Sequence, residues 1–141
     1  MDAKDGFYQV KLDKESSLLT ALWTPFGRYP YLQMPQGISS APKNYQHCQD
    51  KALAGLNGVE VIADNILCCG SGETIEDTLK DHNSNLLNLL DCACSMNLEL
   101  KKKSRLRLDQ VTYMGNSFTS EGHRPDPMKV ETIASMPQPD D

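Results

Sequence analysis

Val59-Glu60-Val61-Ile62-Ala63-Asp64-Asn65-Ile66-Leu67-Cys68-Cys69-Gly70 sets two apolar runs on either side of a polar Asp-Asn pair. Two β-rich runs separated by a short polar tip read as a β-hairpin. A tight hairpin can demand a positive φ at its tip, which Asn tolerates better than most residues. The turn alone explains Asn65. It does not explain the acid, Asp64, beside it.

Outward from the hairpin, the flanking segments alternate between strand and helix signals. Upstream, Phe7 to Leu12 reads as a strand. Leu18 to Thr24 and Arg28 to Met34 read as a β pair around the turn Pro25-Phe26-Gly27, and Pro35-Gln36-Gly37 closes that unit. Ser39-Ser40-Ala41-Pro42 is a helix start, a Ser cap with Pro in the first turn, and the helix should run to about Leu53 and stop near Gly55. Downstream, Glu73 to Met96 is the longest periodic segment. Ile75, Leu79, Leu86, Leu90 and Ala93 fall near one face, and acids crowd its first turns as the helix dipole favours. Asn97 should end it, with Leu98-Glu99-Leu100 as a short strand. Val111 to Met114 and Ser117 to Thr119 suggest a hairpin around Gly115-Asn116. Arg124-Pro125-Asp126-Pro127 opens a short last helix, and Met136-Pro137-Gln138-Pro139 ends in extended form. This order predicts an α+β fold, an antiparallel sheet with helices on one face, in one domain over residues 1–141.

Composition limits the function classes. The chain has 141 residues, 39% hydrophobic and 23% charged, with a net charge of −5. Such an acidic balance argues against nucleic-acid binding by global electrostatics. The charge is uneven, however: Lys101, Lys102, Lys103, Arg105 and Arg107 are five of the fourteen basic residues. That strip is either a phosphate-contacting patch or a solvated surface run. No apolar run approaches the ~20 residues that span a bilayer, and no signal peptide is evident, so the expected location is intracellular, cytoplasmic or nuclear. The five cysteines show no C-x-x-C spacing, so reduced thiols packed as small hydrophobes are expected rather than a zinc site. His47, His82 and His123 share no spacing that suggests a metal or nucleophile site.

Two acids stand in β context, Asp2 before the first strand and Asp64 at the hairpin tip. If their strands are neighbours, both carboxylates meet at a sheet edge and suit a hard divalent cation with room for substrate phosphates. Spacing alone does not establish this.

Asp2-Ala3-Lys4-Asp5-Gly6-Phe7-Tyr8-Gln9-Val10, TPFGRYPYLQMPQGISSAP (Thr24 to Pro42), VIADNIL, YMGN and EGHRPDP follow one another in the chain. In this order they resemble the palm of a reverse transcriptase, an RNA-directed DNA polymerase, from gypsy-type LTR retrotransposons and retrovirus-like Pol polyproteins. The resemblance covers nearly the whole chain. It implies a palm-like fold with incomplete fingers and thumb, residues 117–141 leading towards a missing thumb or connection. It also implies two-metal nucleotidyl transfer, in which a primer 3′-hydroxyl attacks the nucleotide α-phosphate. Asp2 and Asp64 would be the catalytic carboxylates, holding Mg²⁺ or Mn²⁺ with the Ala3 carbonyl and Asn65. Phe7 would be the aromatic gate against a ribose 2′-hydroxyl, and Gln36, Gly37 and Lys103 would meet the incoming deoxynucleotide. Tyr113-Met114-Gly115 would grip the primer, and Lys101, Lys102, Arg105 and Arg107 would touch nucleic-acid phosphates. The implied partners are an RNA or DNA primer-template, a deoxynucleoside triphosphate, and the fingers, thumb and ribonuclease H segments of a longer polyprotein.

The resemblance breaks at the hairpin tip. The family carries a Tyr-x-Asp-Asp-like tetrad, and here it reads Ile62-Ala63-Asp64-Asn65. Two unit charges ~4 Å apart interact by ~4 kcal/mol at an effective dielectric near 20, and a divalent ion doubles that. Even after desolvation, losing one carboxylate forfeits about two decades of rate or more. The expectation is an impaired or inactive polymerase palm. The alternatives are a non-catalytic nucleic-acid-binding or co-opted relic, and a fragment of a longer active Pol polyprotein with a downstream ribonuclease H.

Overall fold

The computed structural model describes residues 1–136. They form two compact units, Met1–Ser104 and the residues from Arg105 onward. The fold is α+β, with small antiparallel sheets. No helix among the described residues is long and apolar enough to cross a membrane.

The first unit begins with an extended segment, Met1–Ala3, that is bridged on both sides. Asp2 pairs with Asn65 and Ala3 with Leu100, both antiparallel. Asp5, at φ 48°, then turns the chain into a 3₁₀ turn, Gly6–Gln9. The strand expected over Phe7 to Leu12 therefore exists only in its second half, where Lys11 bridges Gln33. Gly6 lies against the Tyr45 ring so closely that a Cβ there would overlap it. Helix α1, Lys14–Leu19, replaces the start of the strand expected from Leu18. Its Asp13 cap accepts the Ser16 N–H at 2.7 Å, and Glu15 lies in its first turn, a start signal that competes with the β-rich composition. Strands β1 (Leu22–Thr24) and β2 (Gly27–Tyr29) form the expected pair, shorter than predicted.

Helix α2, Ala41–Ala52, buries Ala41, Tyr45 and Gln49 along one stripe. Pro42 stands in its first turn, as expected, but Ser40 makes no capping hydrogen bond. Met34, Ala41 and Tyr45 form one core cluster, with Phe7, Val10 and Leu12 packed against it. Strands β3 (Val59–Ile62) and β4 (Asn65–Cys68) are the hairpin of the opening stretch, closed by Ala63-Asp64. Helix α3, Ile75–Met96, is capped by Thr74, whose hydroxyl accepts the Asp77 N–H, and ends at Asn97 in the left-handed region. Its buried residues are Asn85, Leu89 and Ala93, whereas Ile75, Leu79 and Leu90 are exposed. Of the expected face Ala93 is buried and Leu86 half-buried, but the stripe shifts to Leu89 and a polar residue, Asn85. Its amide donates to the Cys69 carbonyl and to Asp81. Leu53, Ile66 and Leu89 make a second core cluster that ties α3 to the hairpin.

The second unit is a meander of β5 (Val111–Tyr113), β6 (Asn116–Thr119) and β7 (Gly122–Pro125), followed by α4, Pro127–Ala134. The sequence expects the first two strands; β7 was missed because Arg124-Pro125 read as the opening of the last helix. The first turn is Met114-Gly115, one residue earlier than expected, with both φ angles positive. Asp126 caps α4 by accepting the Met128 N–H. The extended ending expected from Met136 lies outside the described residues from Pro137 on.

Candidate active site

The candidate site is built on the three-way junction of Met1–Ala3, the hairpin tip and Glu99–Lys101. The Ala3 N–H donates to the Asp64 carbonyl at 2.7 Å and the Ile66 N–H to the Met1 carbonyl at 2.7 Å. These bonds flank the Asp2–Asn65 bridge, which makes it a non-hydrogen-bonded pair with its two side chains close on one face. On the other side, the Lys101 N–H donates to the Asp2 carbonyl and the Lys4 N–H to the Glu99 carbonyl, both at 2.8 Å. Asp2 is thus fixed through its backbone from both sides. Its direct cross-strand neighbour is Asn65, not Asp64.

Asp64 occupies the second position of the two-residue turn. The Asn65 amide nitrogen approaches its carboxylate at 3.4 Å, and the Lys101 ammonium does so from Glu99–Lys101, also at 3.4 Å. The positive φ expected of Asn65 belongs instead to Ala63, at 52°. Asn65 lies in strand β4, so the turn gives no reason to prefer Asn there. Ala in that conformation is strained by ~1–2 kcal/mol. Gln46 of α2 compensates by accepting the Ala63 N–H at 2.7 Å while donating to the Val61 carbonyl at 3.0 Å.

Among the described residues, no three or more His, Cys, Asp or Glu side chains converge as a metal cluster. The donors at the junction are two carboxylates and an amide oxygen, with the Ala3 backbone between them. Such hard oxygens suit Mg²⁺ or Mn²⁺, and Mg²⁺ needs only one or two carboxylates beside water and phosphate. The residues fit one such ion better than a pair.

The remaining expected residues fall around this junction or in the second unit. Phe7 is half-buried on the 3₁₀ turn, its ring 5.2 Å from that of Tyr45. Burial pushes the Tyr45 phenol up; its hydrogen bond with Gln49 opposes this, and the Asp64 and Cys48 charges add to it. Gln36 and Gly37 are exposed, Gly37 at φ 90°, and line a groove with Leu19, Tyr31 and Ile38. Lys102 and Lys103 are exposed in the first unit. Arg105 and Arg107 begin the second unit, where Tyr113 ends β5 and Met114-Gly115 forms the first hairpin turn. All five cysteines are free thiols, and burial pushes Cys68 and Cys69 up, away from a thiolate. Sequence reasoning missed Gln9 and Gln46. Gln9 accepts the Glu99 N–H at 2.9 Å and donates to the Glu99 and Lys4 carbonyls, so it joins the two segments that hold Asp2. Gln9, between Tyr8 and Val10, interrupts an apolar run and could have been singled out, whereas Gln46 stands among the polar residues of α2 and gave no such signal.

The family model described as reverse transcriptase (RNA-dependent DNA polymerase) matches residues 1–118. An uncharacterised protein of Caenorhabditis elegans is 34% identical over 143 aligned positions, covering 100% of this chain and 11% of that protein. The retrovirus-related Pol polyprotein from transposon 297 of Drosophila melanogaster is 30% identical, covering 99% of this chain and 13% of the polyprotein. Among solved structures, the foamy viral protease-reverse transcriptase in complex with dsDNA superposes with a TM-score of 0.76 at 24% identity, over 99% of this chain and 28% of that one. The chain thus spans roughly an eighth or less of these curated relatives.

Proposed function

Because the chain belongs to the reverse transcriptase (RNA-dependent DNA polymerase) family, we propose that it is the palm of a retroelement Pol polyprotein whose nucleotidyl-transfer centre is weakened by Asn65. The observation that carries this reading is the Asp2–Asn65 bridge. It sets the first acid against the residue after the second acid, where a family member with two adjacent acids would have a carboxylate. A bound divalent ion would supply charge neutralisation at the attacked phosphate and at the primer hydroxyl. Asp2 and Asp64 would hold it, with Ala3 and Asn65 offering neutral oxygens.

The other roles follow the same reading. Phe7, braced by Tyr45, would meet the sugar of the nucleotide, and Gln36, Gly37 and Lys103 its base and phosphates. Tyr113-Met114-Gly115 would hold the primer end on a turn stiffened by two left-handed residues. The partners would be a primer-template, a deoxynucleoside triphosphate and the other segments of an intracellular polyprotein. Primer extension on a primed RNA template with Mg²⁺ or Mn²⁺ tests the proposal. Extension should be slow, abolished by Asp64→Ala, and raised by about two decades or more by Asn65→Asp. Extension indifferent to both substitutions contradicts it.

A second reading, binding without catalysis, draws support from exposed Lys102, Lys103 and Arg105 on an acidic chain. It requires nucleic-acid binding whose salt dependence falls when these are neutralised.

A further inference from the structure

We infer that Gln46 is a positioning residue for Asp64, its carboxamide standing in for one residue of a missing neighbouring strand. This rests on the metal reading of Asp2 and Asp64.

The backbone groups of Ile66 are turned towards Met1: its N–H donates to the Met1 carbonyl, and its carbonyl accepts from the Met1 amine. Val61 is its register partner in β3, so the backbone groups of Val61 point the opposite way, off the far edge of the hairpin. Strands β3 and β4 form a two-stranded sheet, and that far edge would otherwise need water or another strand. Gln46 of α2 fills part of it. Its amide nitrogen donates to the Val61 carbonyl at 3.0 Å, and its amide oxygen accepts the Ala63 N–H at 2.7 Å. A residue of a parallel strand bonds in the same way to the residues before and after its partner, so Gln46 occupies the place opposite Ile62.

The bond to Ala63 falls on the strained residue of the turn, at φ 52°, immediately before Asp64. A strained conformation persists only when its surroundings over-determine it. Asp50, one helical turn along α2, accepts the second hydrogen of the same amide nitrogen at 2.8 Å. That bond leaves the oxygen to face Ala63 and fixes the orientation of the amide. Asp64 is thereby held from two sides: its own carbonyl by the Ala3 N–H, and the N–H of the residue before it, Ala63, by Gln46. Neither contact uses its carboxylate, for which a cation would compete with the Lys101 ammonium at 3.4 Å.

The test uses the 141-residue chain and the Gln46→Met variant, which keeps length and helix preference but removes donor and acceptor. Amide hydrogen exchange by NMR reads the turn, and Mn²⁺ titration by electron paramagnetic resonance reads the carboxylates. The Ala63 amide should exchange about tenfold faster or more, while Ile66, bonded to Met1, keeps its protection. Mn²⁺ affinity should fall by about threefold to tenfold. Gln46→Glu retains the acceptor, should keep Ala63 protected, and serves if the Met variant does not fold. Unchanged Ala63 exchange in Gln46→Met, or lost protection in Gln46→Glu, overturns the clamp. Faster exchange with unchanged Mn²⁺ affinity overturns the positioning role and leaves only a turn clamp. Wild-type Mn²⁺ binding that survives both Asp2→Asn and Asp64→Asn overturns the metal reading and the positioning role with it. The exchange of Ala63 separates that failure from a failure of the clamp.

Discussion

At the scale of single residues, the site is defined by which side chains face one another across the Met1–Ala3 segment. The sequence pointed to Asp2 and Asp64 through a resemblance and assigned Asn65 to the turn. The turn in fact strains Ala63, and Asn65 is a strand residue facing Asp2. The hairpin register, with Ile62 opposite Asn65, puts the turn at Ala63-Asp64, and the bonds between Met1 and Ile66 set Asn65 opposite Asp2. Lys101, expected on phosphates, lies 3.4 Å from Asp64, with both side chains nearly half exposed. Exposed pairs of this kind contribute little, ~0–1 kcal/mol. A divalent ion must nevertheless compete with that ammonium. Lys101→Met should tighten Mn²⁺ binding by about threefold, and Lys102→Met should do so less. Equal effects from both would reduce Lys101 to general surface charge.

At the scale of elements, the long helix and the three hairpins were legible, whereas α1, the 3₁₀ turn and β7 were not. Helix α3 was visible because its length, acidic first turn and Asn97 stop agree with one another. The 3₁₀ turn at Gly6–Gln9 was hidden because it starts at a left-handed Asp5 and packs Gly6 against Tyr45 of another element. Gly6→Ala should therefore lower stability by about 1–3 kcal/mol in urea melts; an unchanged midpoint would mean that Tyr45 gives way freely. Two exposed carboxylates should shape the acid side of the stability profile. The Ser16 backbone N–H, aided by the Ser16 side chain, holds the Asp13 carboxyl below its ordinary 3.8. The hydrogen bond and charge of Lys4 hold Glu99 below its ordinary 4.5. Groups depressed in the folded state add stability above their unfolded values and lose it as pH falls through the folded ones. The urea midpoint should drop below about pH 4.5, and Asp13→Asn should flatten part of that drop. An acid limb unchanged by Asp13→Asn would contradict this.

At the scale of the whole molecule, the α+β class and the family were legible because the motifs occur in order over most of the chain. The division after Ser104 was not, because no Pro- or Gly-rich linker marks it. The first unit exposes large apolar side chains around β1–β2: Leu19, Trp23 and Phe26 are 86%, 78% and 89% exposed. Patches of that kind mark surfaces for contact or self-association. Trp23 is the sole tryptophan, so its fluorescence reports on that surface. In dilute solution it should emit as a solvated indole and be fully quenched by acrylamide. Blue-shifted, protected emission that persists on dilution would contradict that exposure.

The central claim is that the hairpin keeps the geometry of a metal-binding tip while Asn65 has removed part of its charge. Mn²⁺ affinity of the 141-residue chain with and without Asn65→Asp tests it most directly. A second carboxylate facing Asp2 should tighten binding by about tenfold or more, and adding Asp64→Asn should cancel the gain. An affinity unmoved by Asn65→Asp, or a gain indifferent to Asp64, would contradict the claim.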